Sequence, residues 1–341
     1  MGFSSQIEWT DATWNPVRGC SRLSPGCGGA NHQGGCYAEK IAARFSGPGQ
    51  PFEGFAERTA HGGRWTGKVG LVGSALGQPI SWRRPRRIFV NSMSDLFHED
   101  LPLFDIATVF GFAIAAVHLR GHTLQILTKR AGKMRETLAS EEFWEGANGV
   151  AESLVLENVD PLERRKDDAR ATLDDYGPDK PPPGIWLGVS VEAPEYKSRI
   201  DELRQTPAAV RFVSAEPLIE NLGALDLRGI HQVIVGGESG PRARPFWAPW
   251  ARAILFQCRR QKVACFIKQF GANVQDRNDA GFEGEDPRAW HLADELAQVE
   301  HDIHGFREDH QGAPVRIKLR DRKGGDMAEW PEDLRAREFP S

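Results

Sequence analysis

Cys20, Cys27 and Cys36 stand within seventeen residues of each other, in the run GCSRLSPGCGGANHQGGCYAEK. The N-terminus, MGFSSQIEWTD, has no charged-then-apolar leader pattern, so the chain is expected in the cytoplasm with its thiols reduced. Clustered thiols in that setting point to a metal rather than a disulfide. Three thiolates are one fewer than a structural zinc site takes. An iron–sulfur cluster held by three thiolates leaves one iron open to a further ligand. His32 lies between Cys27 and Cys36 and adds an imidazole, so a Cys/His zinc site stays open beside the iron–sulfur one. The other two cysteines, Cys258 and Cys265, lie in apolar surroundings and are expected to be buried structural thiols.

A second set of reactive side chains sits at the ends of short apolar runs. It comprises Ser92, Ser94 and Asp95; Thr128 and Lys129; Ser190 and Glu192; Ser214 and Glu216; Glu238 and Ser239; and Lys268 and Gln269. Each alone reads equally well as a turn or helix cap. Six runs that end alike point to one ligand-binding edge.

The elements that must position these residues follow from periodicity. Strands are expected over 12–19, 87–95, 122–130, 184–192, 211–218, 231–240 and 263–271. Helices are expected from Tyr37, over 104–119, over 194–204 and over 249–261. Nearly continuous apolar strands that alternate with helices make a parallel sheet covered on both faces. Six or seven such units predict an α/β fold, a partial (β/α)6 TIM-like barrel spanning 1–271. Residues 46–82 and 141–183 read as insertions, a Gly/Pro-rich loop and a charged stretch ending in DKPPPG. Residues 272–341 read as an irregular C-terminal extension packed on the barrel.

The composition is that of a globular protein, 341 residues with 40% hydrophobic and 26% charged. A net charge of −4 gives no chain-wide field for nucleic acid. Local basic patches remain at Arg83, Arg84, Arg86 and Arg87 and at Arg242 and Arg244. No apolar run is read as long enough for a membrane span, so no membrane partner is expected.

Several motifs together resemble a phage- and prokaryote-associated family defined by a three-cysteine motif and related to the radical-SAM superfamily. They are IEWTDATWNPVRGC, SPGC, CYAEKIAARF, SMSDLFHED, LTKR, LGVSVE, SAEPL, GGESGPRARP and KQFG. The resemblance runs from about residue 6 to 271, and the strand ends also resemble spore photoproduct lyase, a radical-SAM DNA repair enzyme. The spacing departs from the family pattern in the second gap, where eight residues separate Cys27 from Cys36.

The resemblance implies a barrel of radical-SAM type with a 4Fe-4S cluster on Cys20, Cys27 and Cys36. It implies S-adenosyl-L-methionine (SAM) as cofactor, with Tyr37, Ser92, Ser94, Asp95, Lys129, Ser190 and Glu192 around it. Glu216, Glu238 and Lys268 would be the catalytic, substrate-side residues. The implied substrate is a nucleobase or nucleotide, such as a modified thymine, free or in DNA, and the reaction an isomerisation, elimination or modification. A reductant such as flavodoxin and a three-Cys-motif partner protein are implied partners. Two further classes compete with this one. A zinc- or cluster-stabilised nucleic-acid-binding barrel is disfavoured by strand-end carboxylates, which repel phosphate. A metal-dependent hydrolase is disfavoured by the lack of His clusters.

Overall fold

The structure, a computed structural model, describes residues 5, 7–28, 34–60, 62–158, 173–277 and 314–340. His32 and most of the polar stretch after Arg277 lie outside the described residues. The chain divides into two compact units. The first comprises Met1–Ser24, Cys36–Val189 and Asp201–Arg211, and the second Pro25–Gly35, Ser190–Ile200 and Phe212–Ser341.

In the first unit the strands in chain order are β1 (Ala12–Trp14), β2 (Val17–Arg18), β3 (Ala56–Thr59), β4 (Gly62–Trp65), β5 (Gly70–Leu71), β6 (Arg87–Val90), β7 (Thr123–Thr128) and β8 (Ile185–Ser190). The helices are α1 (Tyr37–Arg44), α2 (Gly73–Leu76), α3 (Gln78–Ser81), α4 (Leu103–Arg120), α5 (Ala131–Leu138) and α6 (Glu141–Asn158). Strands β1, β6, β7 and β8 pair in that order, all parallel. One face of this sheet is a continuous apolar layer of Ala12, Trp14, Ile88, Val90, Leu124, Ile126, Ile185 and Leu187, all buried. Such two-residue alternation carries the core of each strand.

The second unit holds most of β9 (Val210–Ala215), then β10 (Gln232–Gly236), β11 (Phe246–Trp247), β12 (Ala264–Gln269), β13 (Val274–Arg277) and β14 (Pro314–Ile317). Helix α7 (Ser198–Gln205) straddles the division, and α8 (Ala248–Arg260) leads into β12. Strands β9, β10 and β12 are parallel neighbours in that order. Each unit is therefore α/β with a parallel sheet, as periodicity predicts.

Several expectations change in detail. The strand expected over 12–19 is broken at Asn15–Pro16, because proline cannot donate to a ladder. Its halves separate, β1 joining β6 in parallel and β2 pairing antiparallel with β5. The run 87–95 stops as strand at Val90, where Asn91 turns into the left-handed region at φ 61°. Residues 46–82 are not merely a loop, since they form the β3–β4 hairpin, β5 and two single-turn helices. The start of 141–183 is the 18-residue helix α6, which packs on α4 through Phe110, Phe143 and Trp144. No helix follows β9 before β10. The described part of the C-terminal extension is partly regular. Beyond β14 it lies along β12, where Ile267 N–H donates to Ala336 O at 2.8 Å and Glu338 N–H to Cys265 O at 3.0 Å. Trp330 stacks on Phe270 with ring centroids 4.7 Å apart.

The apolar-run reading also needs correction. Helix α4 has a mean hydropathy of 1.6 over 18 residues, long and apolar enough to cross a membrane by length and composition. Half of that stretch is buried in the protein, and the helix packs on α6.

Candidate functional site

The loop after β2 carries Cys20, and α1 begins one residue after Cys36. Gly19 pairs with Ser94 in an isolated parallel bridge, so the end of the β2 segment is tied to the loop after β6. Cys20 and Cys36 both pack against one apolar cluster of Ala38, Ala42, Phe52, Ala56, Trp65 and Met93. Both thiols are reduced and partly exposed, as is Cys27 on a short turn, Pro25–Cys27, in the second unit. Cys258 and Cys265 are fully buried, as expected. Among the described residues no three His, Cys, Asp or Glu side chains are gathered as a metal site requires. The donor chemistry of three accessible thiols nonetheless suits a thiolate-bound metal.

A buried charge network backs Cys20. Asp95, at the end of the β6 segment, accepts from Phe97 N–H (3.1 Å) and Thr128 Oγ1 (2.6 Å) on one oxygen. Its other oxygen accepts from Lys129 N–H (3.2 Å) and Arg130 Nη1 (3.1 Å). Arg130 also donates Nε to Glu99 at 2.7 Å and Nη2 to Ser21 Oγ at 2.7 Å, the residue beside Cys20. Burial alone would lower the Arg130 pKa, but Asp95, Glu99 and Cys20 together hold it above its ordinary value. His98 is buried beside them, 2.8 Å from Ser21 Oγ through Nε2. Asp100 N–H donates to its Nδ1. Burial and Arg130 push its pKa below 6.5, so near neutral pH it is uncharged and carries its proton on Nε2.

The remaining expected residues of the first unit serve the same strand ends. Ser92 Oγ donates to Asn15 Oδ1 (3.1 Å), Ser94 Oγ to Val17 O (2.9 Å) and Tyr37 OH to Ser92 O (2.6 Å). Lys129 is half-buried. Asn15, Ser21, His98, Glu99 and Arg130 escaped the sequence reading as site residues. The signal was present, since His98 and Glu99 stand in SMSDLFHED and Arg130 in LTKR.

The second unit holds the other candidates. Glu192 is fully buried and accepts from Arg199 Nη1 at 3.0 Å, which also donates to Ser190 O at 2.8 Å. Arg199 lies over the Tyr196 ring at 4.3 Å, and a hydrogen bond to Glu195 raises the Tyr196 hydroxyl to about 12. Glu216 and Lys268 form an ion pair across β10, and each is mostly buried. A Cβ at Gly236 would lie 3.2 Å from the Glu216 carboxyl, so the glycine makes room for that pair rather than for a ligand.

Glu238 is clasped by Arg244, whose Nε and backbone N–H donate to Oε2 at 3.0 and 2.9 Å and whose Nη2 bonds Oε1. Oε1 also accepts from Gly35 N–H at 3.4 Å, and Gly34 N–H donates to Arg242 O at 2.8 Å. Gly34 has φ 61°, and a Cβ there would lie 2.3 Å from the Glu238 carboxylate oxygens. Gly34 and Gly35 thus seat on Glu238 directly before Cys36. The expected phosphate clamp on Arg244 is not what its guanidinium does, since Glu238 fills its fork. The other basic patch is also engaged in part, with Arg87 paired to Asp11 at 3.4 Å and Arg86 over Trp82.

The family described as "Protein of unknown function (DUF5131)" matches residues 4–321. The chain belongs to that family. No curated protein and no solved structure matches it. The DUF5131 match takes in all three clustered cysteines, the Asp95–Arg130 network and the Glu216–Lys268 and Glu238–Arg244 pairs. Its description names no activity.

Proposed function

We propose that this DUF5131 protein is a radical-SAM enzyme acting on a nucleobase or nucleotide, with a 4Fe-4S cluster on the thiolates of Cys20, Cys27 and Cys36. The observation that supports it is the placement of Cys20 and Cys36 on one apolar wall, with Arg130 near Cys20, after the first strand of a parallel sheet. A neighbouring guanidinium favours thiolate over thiol, the form that ligates metal. Cys36 also immediately precedes a helix, a position that favours an anion.

Such a cluster, when bound and reduced, would supply one electron for cleaving SAM, and so a 5′-deoxyadenosyl radical able to take hydrogen from a substrate. The chain's own residues bind and orient. Tyr37, Ser92, Ser94, Lys129 and Ser190 carry the polar contacts to SAM under this reading. Asp95 and Glu192, each buried against an arginine, set the strand ends. Lys268 Nζ holds a proton against Glu216 Oε1 as the substrate-side pair. Glu238 positions the cysteine loop.

The test is anaerobic reconstitution with iron and sulfide, followed by metal analysis and a visible spectrum. Brown protein with broad absorption is expected. Cys20→Ala, Cys27→Ala and Cys36→Ala should each abolish iron loading, while Cys258→Ala and Cys265→Ala leave it intact. Colourless wild-type protein that carries zinc, or iron lost in His32→Ala and kept in Cys36→Ala, overturns the assignment.

A further inference from the structure

Six large hydrophobic side chains are exposed among the described residues, and three of them line one helix. Tyr37, Ile41 and Phe45 are 48%, 37% and 48% exposed, and Leu23 on the cysteine loop is 45% exposed. Tyr37, Ile41 and Phe45 recur at four-residue steps, so they line one face of α1 and its C-terminal residue. The opposite face, with Ala38, Glu39, Ala42 and Ala43, is buried. Single exposed apolar residues are ordinary, but an aligned set is the mark of a docking face.

Cations stand beside this stripe. Lys40 and Arg44 stand on the adjoining line of the helix. Arg58 reaches over from β3, donating Nε to Ala43 O (2.9 Å) and Nη2 to Arg44 O (2.8 Å). The single carboxylate of α1, Glu39, points inward. It accepts Trp65 N–H at 2.9 Å and pairs with Arg22 at 2.6 Å. Glu57 stands opposite Arg64 in the hairpin register, on the other side of the ribbon from Arg58. Seven Lys and Arg but three carboxylates lie between Ala12 and Val72, in a chain whose net charge is −4. The local excess of Lys and Arg, with Lys40, Arg44 and Arg58 next to the stripe, favours an anionic partner.

We propose that the exposed Tyr37–Ile41–Phe45 face of α1, with Lys40, Arg44 and Arg58, binds single-stranded nucleic acid. Exposed rings between cations supply the two things such a strand needs, a platform for the base faces and neutralisation of the phosphates. An acidic protein would meet the cations but offer the two rings no planar partner. The rungs of Tyr37 and Phe45 are about 12 Å apart at the α-helical rise. That spans about three nucleotides stacked at ~3.4 Å. Tyr37 is shared with the proposed SAM contacts, so the proposal is tested at Phe45 and Arg44, which take no part in them, and a strand can bind here whether or not iron is loaded.

The test uses the full chain and fluorescein-labelled oligothymidylate, read by anisotropy across a salt series. Phe45→Leu keeps an apolar side chain and removes the ring. It should weaken binding about 5- to 150-fold, the worth of one stacked base. Arg44→Gln should lower the slope of log affinity against log salt by about 0.7, one phosphate contact on a single strand. Circular dichroism and iron content measured on the same samples separate loss of this face from loss of fold or of cluster. Failure of the wild-type chain to bind oligothymidylate at low salt, or equal binding in both variants, overturns the proposal. Saturable binding of a polyglutamate peptide in place of the oligonucleotide, lost in the same variants, assigns the face to an acidic protein and overturns it too.

Discussion

Asp95→Ala removes the carboxylate on which four donors converge. Asp95 and Arg130 side chains are 8% and 3% exposed, so solvent screens their 3.1 Å contact little. Truncating one partner of such a buried pair costs about 3–5 kcal/mol, because the other charge is left uncompensated. Arg130 keeps Glu99 at 2.7 Å, but that carboxylate is 57% exposed and a weaker substitute. The N–H groups of Phe97 and Lys129 and the Thr128 hydroxyl also lose their acceptor. The expected local cost stays near ~4 kcal/mol, since these losses overlap and the site can relax. Hydrogen exchange is the suitable assay, because it reads local opening and does not require two-state unfolding of a two-unit chain. Peptides covering 95–99 and 128–131 should lose about two to three and a half decades of protection, at ~1.4 kcal/mol per decade. The double variant Asp95→Ala/Arg130→Met, which leaves no buried charge behind, should regain at least one decade. Protection within tenfold of wild type in the single variant would refute the view that this pair holds the strand ends.

The remaining predictions use other contacts. Burial alone would raise the Glu238 pKa, but the Arg244 ion pair and N–H bonds from Arg244 and Gly35 hold it below its ordinary 4.5. Its stabilising contribution is thus complete above about pH 5 and is lost as pH falls through the depressed value. Glu238→Gln should flatten that acid limb in a pH series of unfolding midpoints, and an unchanged limb would count against it. Gly34→Ala should loosen the cysteine loop, because its Cβ would collide with the Glu238 carboxylate at a φ that disfavours side chains. Faster proteolysis between Cys27 and Cys36 is the readout. Trp330→Ala empties a site that is 2% exposed and stacked on Phe270, with a cost of about 3–5 kcal/mol expected in thermal or urea unfolding of the second unit.

The strands were legible because they are apolar and end in polar clusters. Strand β7 was expected over 122–130 and spans Thr123–Thr128, and β12 was expected over 263–271 and spans Ala264–Gln269. The hairpin β3–β4 was not legible, since only Ala56 and Trp65 of its eight residues are buried and no alternation shows. Helix α6 hides its buried stripe in small residues, with Ala147 and Ala151 between Trp144 and Val155, inside a stretch that reads as charged. At the candidate site, the sequence did not reveal the side-chain partners. That Asp95 and Glu192 are spent on Arg130 and Arg199 depends on three-dimensional proximity across 35 and 7 residues respectively, which spacing alone does not reveal.

Those arginines change how the strand-end acids can act. A carboxylate whose oxygens already accept four hydrogen bonds, as in Asp95, has little capacity left for a ligand ammonium. Its worth lies in fixing the peptide groups around it, including the N–H of Lys129 and, through Arg130, the hydroxyl of Ser21 beside Cys20. The same holds for Glu238, whose arginine and glycine contacts settle the segment that leads into Cys36. The Glu216–Lys268 pair differs, because it is joined to nothing else in the described hydrogen bonds and stays partly open, at 20% and 15% exposed. Of the strand-end acids it is the least engaged by other described hydrogen bonds, which suits it to the substrate-side role proposed above. Lys268→Met should then impair turnover far more than it lowers stability, whereas Asp95→Ala should do the reverse. Equal effects of the two variants on both quantities would remove the distinction between acids that position and the pair proposed to react.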